Sequence, residues 1–212
     1  MYASDCEASE RIVARNKIGQ GANKIMEKAT FIADACILLA SRRDPEAKAI
    51  LRTNYPFESL SNKRGTPGRA RSVQIFRRDS FLDRYSGQRL VFPGTLLVMA
   101  KLMPEDFPAH PNWKTEGTHF AFYELWPVID HVRPITRGGT NDDDNFVTTS
   151  AVRNSAKAHF TLDELGWMLL PASTDREWDG LTAWFVDITS QRPELLTDAA
   201  IAKWRDALKV VA

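Results

Sequence analysis

One carboxylate, one imidazole and two carboxamides fall within 25 residues of each other: Asp130, His131, Asn145 and Asn154, with Lys157 one helical turn further on. Asp130 and the side-chain carbonyl of Asn154 are hard oxygen donors. Two such ligands with open positions suit Mg²⁺, which keeps waters and accepts phosphate oxygens. His131 is a base near neutral pH and can take a proton from water. Arg133, Arg137, Arg153 and Lys157 supply positive charge for a polyanion. Metal, base and phosphate grip together describe phosphodiester hydrolysis. Asn145 reads as a holding residue: its amide can bond backbone groups on both sides of a loop and so fix the His131 backbone. Buried without partners it would cost about 1–3 kcal/mol, so it is expected to be fully bonded. Singly, each residue has a plainer reading, as a surface pair, a turn residue in "NDDDN" or a solvent-facing helix residue. Their joint spacing favours the chemistry.

Positioning these groups requires a strand, a loop, a second strand and a helix. Val128 to Val132 reads as a short strand, and Pro134 to Asn145 as a loop with Gly138-Gly139 and an Asn-Asp turn. "FVTT" reads as a second strand, and Ser150 as the cap of a helix from Ala151. Two strands returning on each other, with a helix across them, bring the end of the first beside the opening turn of the helix. Asp130 and Asn154 then share a small volume with His131 alongside.

The rest of the chain frames this unit. Residues 7 to 53 read as helical, with Ile25, Ala29, Ile32, Cys36 and Leu39 on one stripe that Met26, Ala33, Ile37 and Ala40 widen. A stripe that broad is expected to be buried, with Cys36 inside, against its own domain or a second subunit. Pro45 sits where a second, shorter helix starts. "SNKRGTPGRARS" (61–72) is loop-like and marks the boundary between a helical region at 1–60 and a domain at 61–212. Residues 73–86 read as a short helix and a turn; the stretch after Pro93-Gly94 fits helix or strand, and 104–118 looks irregular. "FAFYELWPVIDHV" is strand-like in composition. Thr161-x-x-Glu164 and Thr174-x-x-Glu177 have capping-box spacing. The second should open a helix with Trp178, Leu181, Phe185 and Ile188 on one face, ended by Pro193. Ile201, Trp204, Leu208 and Val211 stripe a last helix, with the tryptophans as core.

Composition sets the outer limits. At 212 residues, 43% apolar and 26% charged, the chain can build a real core. No run approaches the roughly 18 apolar residues of a membrane span, and "MYASDCEASERI" lacks the order of a secretory signal. Cys6 and Cys36 alone make no zinc site, and free thiols in a cytoplasmic protein are expected. Net charge is only +1, but eight basic residues against two acidic ones lie between Lys63 and Arg89. Arg77 and Arg78 belong to that stretch, which suits a nucleic-acid face.

The residues at 129–157 resemble those of the HNH endonuclease family, the ββα-metal nucleases. That pattern has an Asp-His pair, a following Pro, a Gly-Gly or similar loop, an Asn before the second strand and a helix with Asn-x-x-Lys. Here these are Asp130-His131, Pro134, Gly138-Gly139, Asn145, and Asn154 with Lys157. The resemblance implies an α+β fold: a ββα-metal (HNH) core at about 122–160, with N-terminal and C-terminal helical elements, the latter at about 161–212. It implies that Asp130 and Asn154 bind one Mg²⁺ or Mn²⁺, that His131 activates water and that Asn145 orients the loop. The expected products are 5′-phosphate and 3′-hydroxyl ends. Arg133, Arg137, Lys157, Arg77 and Arg78 are the expected DNA contacts, with double-stranded DNA as partner and a homodimer as a way to cut both strands.

The sequence also departs from the family. Many members carry a structural zinc on two Cys-x-x-Cys pairs; here Asp83 and Ser86 stand at one pair and Ser150 and Arg153 at the other. No structural zinc is expected. An Asp83–Arg153 ion pair with Ser86 and Ser150 close by is expected in its place, supported by Phe76, Phe81, Tyr85 and Trp126. The expectation is therefore a metal-dependent DNA endonuclease, of restriction or genome-defence type. A non-catalytic nucleic-acid-binding HNH scaffold and an RNA-directed nuclease are the alternatives.

Overall fold

The structure, a computed structural model, describes residues 28–57, 65–172 and 177–211. The chain divides into two compact units, Met1–Ser59 and Leu60–Ala212. Among the described residues no helix is long and apolar enough to cross a membrane.

The first unit contains a helical hairpin, α1 (Lys28–Ala40) and α2 (Asp44–Asn54). Pro45 lies in the first turn of α2, where its missing N–H has no intrahelical partner to lose. Ala35 and Leu38 of α1 are buried with Ala47 of α2, and Ile50 and Leu51 pack on them. That edge differs from the expected stripe. Within this unit Ile32, Ile37 and Leu39 are 45%, 46% and 49% exposed, and Cys36 is an exposed free thiol rather than a buried one. The reason is geometric: α2 covers α1 at positions 35 and 38, which turns position 36 away. Ile25, Met26, Cys6 and the remaining helix expected over 7–27 lie outside the described residues.

The second unit is rich in helix, with one small antiparallel sheet, an α+β arrangement. In order come α3 (Arg69–Arg78), α4 (Pro93–Leu102), α5 (Ala121–Glu124), β1 (Pro127–His131), β2 (Phe146–Ser150), α6 (Ala151–Lys157), α7 (Leu162–Leu165), α8 (Thr182–Gln191) and α9 (Ala199–Val210). The expected loop over 61–72 ends early, because α3 begins at Arg69. Pro93 opens α4 as a first-turn proline, deciding for helix the stretch that composition left ambiguous. "FAFYE", strand-like in composition, is a single helical turn, and the strand starts only at Pro127.

Strands β1 and β2 pair with Asp130 opposite Val147 and His131 opposite Phe146. Helix α6 follows at once. Ser150 caps it, its hydroxyl accepting from Arg153 N at 3.3 Å. Thr161 and Glu164 form the expected capping box on α7. The capping site expected at Thr174 lies outside the described residues, and α8 starts later than expected, at Thr182. There the Asp179 carboxylate caps it, accepting from Leu181 N, Thr182 Oγ1 and Ala183 N at 2.8–2.9 Å. Burial pushes the Asp179 carboxyl up, but these hydrogen bonds outweigh it and hold the group below the usual aspartate range.

The core is aromatic. Phe76, Phe81, Phe92 and Phe185 are fully or almost fully buried with Ile201 and Trp204 of α9, joining α3, α4, α8 and α9 in one cluster. Phe92 meets Phe185 and Trp204 edge-on at 5.1 and 5.5 Å. Each such side chain contributes about 1.5–3 kcal/mol by leaving water.

Two fully buried carboxylates tie the sheet to the segment after α3. Asp79 accepts from Arg84 Nη1 at 2.8 Å, Arg78 Nε at 3.0 Å and the backbone N–H of Thr148 at 2.8 Å. Asp83 accepts four hydrogen bonds: Tyr85 N (2.9 Å) and Ser86 N (3.2 Å) on Oδ1, Ser150 N (2.9 Å) and Thr149 Oγ1 (3.0 Å) on Oδ2. Arg153 Nε lies 3.6 Å from Oδ2, so the expected ion pair forms, but it is the weaker part of the arrangement. The carboxylate chiefly serves backbone and hydroxyl donors of two segments 66 or so residues apart. Arg153 also lies over the Trp167 ring, 5.3 Å from its centroid.

Candidate functional site

Strand β1 ends at the site. Successive side chains on a strand point to opposite faces, so Asp130 and His131 diverge although they adjoin. Asp130 is buried, and its Oδ2 accepts from Tyr85 OH at 2.8 Å and from Lys157 Nζ at 2.9 Å. Burial and the adjacent Asp130 charge push the Tyr85 phenol well above its ordinary range, so it stays a donor. Oδ1 of Asp130 has no hydrogen-bond donor among the described residues.

Lys157 overturns an expectation. Placed by sequence among the phosphate contacts, it is 0% exposed, and its ammonium donates to the His131 carbonyl at 2.8 Å as well as pairing with Asp130. The final turn of α6 faces the sheet, and a lysine stem crossing that interface brings its charge to the Asp130 carboxylate. Lys157 holds the strand end and does not reach a surface.

Asn154 lies one turn earlier on the same helix face, since residues three apart are neighbours. It is half-buried, and its amide makes no hydrogen bond among the described residues. Asn154 and His131 both line a cavity of about 490 Å³, together with Val128 and Ile129 of β1, Gly65–Arg69, Ser72 and Phe76 at the start of α3, and Trp204 of α9. Asp130 is not part of that wall. The structure thus brings His131 and Asn154 to one opening, while Asp130, next to His131 in the strand, is linked through Lys157 to the His131 carbonyl.

Asn145 does what its position suggested. Its Oδ1 accepts from Arg133 N at 2.8 Å, and its Nδ2 donates to Arg133 O at 3.0 Å and Thr140 O at 2.8 Å. Both ends of the 133–140 loop are closed by one amide, next to the Val132 N–H that donates to the Asn145 carbonyl. Gly139 permits the closure. A Cβ there would stand 1.9 Å from the Arg133 carbonyl oxygen and 2.9 Å from Asn145 Nδ2.

The expected basic contacts separate. Arg78 is committed elsewhere: besides Asp79 it donates to Phe146 O at 2.6 Å and Asp143 O at 3.0 Å, which ties α3 to the start of β2. Arg77 is exposed, with one bond to Val211 O at 2.5 Å. Arg133 is exposed and donates through Nε to Arg137 O. Arg137 is paired with Glu164 at 3.3 Å. Arg133 and Arg77 are exposed; Arg78, its side chain 39% exposed, is tied to Asp79 and two backbone carbonyls, and Lys157 alone is buried.

Sequence reasoning missed Asn141, which it had read as part of a turn. Asn141 Oδ1 lies 3.0 Å from His131 Nε2 and also accepts from Gly65 N at 2.9 Å. The partner, Gly65, is 76 residues away, so no local spacing rule could have shown it. His131 further packs on Phe146, ring centroids 4.8 Å apart.

For a divalent cation the chemistry of the donors decides the fit. Among the described residues no three His, Cys, Asp or Glu side chains gather as a metal-binding group. A cation here would rely on one carboxylate oxygen and on amide, water and substrate oxygens, a set that suits Mg²⁺ or Mn²⁺ and not Zn²⁺. Asp130 has Oδ2 fixed by two donors and Oδ1 open, as a monodentate ligand held by outer partners would. The Asn154 amide, with no hydrogen bond among the described residues, would supply a second oxygen, a neutral one. The set fits.

Comparison with protein-family models, with curated proteins and with solved structures found no match for this chain.

Proposed function

We propose that this protein is a metal-dependent DNA endonuclease built on a ββα-metal core of the HNH kind, formed by β1, β2 and α6. The supporting observation is the shared opening: His131 from the strand end and Asn154 from the helix, whose amide has no hydrogen bond among the described residues, line one cavity, and Asp130 adjoins His131 in the strand. In this reading Asp130 Oδ1 and Asn154 Oδ1 hold Mg²⁺ or Mn²⁺. When bound, the ion supplies charge stabilisation for the phosphodiester and its departing oxygen.

The chain's own residues supply the rest. His131 takes the proton from the attacking water in the cavity. Asn145 holds the loop so that the His131 backbone stays where β1 delivers it. Tyr85 and Lys157 fix the Asp130 carboxylate, and Lys157 also fixes the His131 carbonyl. Exposed Arg133 and Arg77 receive the DNA backbone. Cutting both strands would call for two copies of the chain, a state gel filtration would report.

One observation favours a second reading, a nucleic-acid-binding scaffold without catalysis. Lys157 Nζ already lies 2.9 Å from Asp130 Oδ2, so a cation must share that carboxylate with an ammonium. Supercoiled plasmid incubated with the protein, with and without Mg²⁺, beside His131→Ala separates the two. Nicking that needs Mg²⁺ and vanishes in the variant supports the enzyme. Equal DNA binding by both proteins with no nicking supports the scaffold.

A further inference from the structure

A histidine that accepts a proton needs one ring nitrogen free and aimed, and the bond made by the other nitrogen decides which. In His131 that bond runs from Nε2 to Asn141 Oδ1, at 3.0 Å. An Asn amide can present either its oxygen or its NH₂ to a neighbour. Here the choice is fixed from outside. The Gly65 backbone N–H points at the same atom, 2.9 Å away, and a backbone N–H can only donate. The atom facing both groups is therefore the carbonyl oxygen, and an oxygen facing Nε2 requires Nε2 to carry the proton.

We propose that Asn141, anchored by Gly65, is a positioning residue that holds His131 in the Nε2–H tautomer and leaves Nδ1 as the proton acceptor. Nδ1 has no hydrogen-bond partner among the described residues, and His131 lines the 490 Å³ cavity. Phe146 against the ring and Lys157 on the backbone carbonyl restrict the remaining freedom. Gly65 is part of the device. A Cβ at that position would lie 3.0 Å from both Cγ and Oδ1 of Asn141, so alanine would require the amide to give by a few tenths of an ångström. The amide thus couples the loop before α3 to the strand end. The tautomer stands on this geometry alone; its use in catalysis rests on the nuclease reading.

The test is long-range ¹H–¹⁵N correlation NMR of the full chain labelled with ¹⁵N-histidine, at alkaline pH and without metal. His131, identified by its absence in His131→Ala, should show the Nε2–H pattern. Asn141→Leu should fall back toward the tautomer mixture of a free imidazole and Gly65→Ala should weaken the preference, with the rest of the spectrum unchanged. In plasmid nicking with Mg²⁺ both variants should lose about 10- to 100-fold in kcat with KM unchanged, because a misdirected base impairs the chemical step. A wild-type Nδ1–H pattern overturns the proposal, as does a tautomer ratio in Asn141→Leu equal to that of wild type. Nicking that depends on His131 alongside an Nδ1–H pattern would sink this inference and leave the nuclease reading intact. An Nε2–H preference reduced in both variants, in a protein that never nicks DNA, would do the reverse.

Discussion

Truncating Asp83 to alanine tests the framework on which the site is built. Its carboxylate is fully buried and serves four donors. Three of these, Tyr85 N, Thr149 Oγ1 and Ser150 N, are themselves in buried bonds, and Ser86 N is partly exposed. Each stranded buried donor costs about 1–3 kcal/mol. Removing the charge recovers part of its own desolvation, so Asp83→Ala is expected to lose about 3–5 kcal/mol, the range for breaking a buried charged network. Against a typical total of about 5–15 kcal/mol this is severe. Asp83→Asn keeps the shape but turns an NH₂ toward backbone N–H groups whichever way it flips, and should lose about 2–3 kcal/mol. Asp144→Ala, at an exposed carboxylate nearby, should stay within about 0.5 kcal/mol. Urea unfolding followed by tryptophan fluorescence reads this directly, because all six tryptophans lie between Trp113 and Trp204, in the second unit. An Asp83→Ala midpoint within about 1 kcal/mol of wild type, at equal slope, would refute the assignment of Asp83 as the joint.

Three further outcomes follow from the same geometry. Lys157→Met leaves Asp130 buried and unpaired and should lose about 3–5 kcal/mol, whereas Lys157→Met with Asp130→Asn should lose markedly less than the sum of the singles, measured by a double-mutant cycle in urea. Asn145→Ala should lose about 1–3 kcal/mol and speed amide exchange at Arg133, with strand β1 otherwise protected. Asp179 has a folded-state pKa below its unfolded value, so its stabilisation is present above the ordinary aspartate range and is lost as pH falls through the folded value. The stability gap between wild type and Asp179→Ala should therefore be widest near neutrality and shrink in acid below about pH 4, read by denaturant midpoints across pH.

What could be read in the sequence was what short spacing decides. The Ser150 cap, the Thr161–Glu164 box, the stripe on α9 and the two-sided bonding of Asn145 each depend on residues within about fifteen positions of each other. The Asp83–Arg153 pairing came from aligned positions of opposite charge, but its real partners, backbone N–H groups, carry no side-chain signature. Residues whose role depends on distant chain were misread. Arg78, an expected phosphate contact, also bonds the Phe146 carbonyl 68 positions away, a tie no local spacing announces. Lys157 looked exposed because lysine normally is, yet Asp130 and the His131 carbonyl draw its ammonium inside. "FAFYE" has strand-like composition, but one buried turn is enough to seat Ala121 and Phe122. On α1 the hydrophobic run is nearly continuous, so periodicity could not say which edge α2 would cover.

The central claim is that one carboxylate and one helical amide hold a single cation beside the His131 cavity. Manganese titration followed by electron paramagnetic resonance measures this without DNA or turnover. One Mn²⁺ per chain is expected, retained in His131→Ala and weakened at least about ten-fold in Asn154→Ala, whose amide has no hydrogen-bond partner to lose among the described residues. No bound ion, or an ion held equally well after Asn154→Ala, would contradict it.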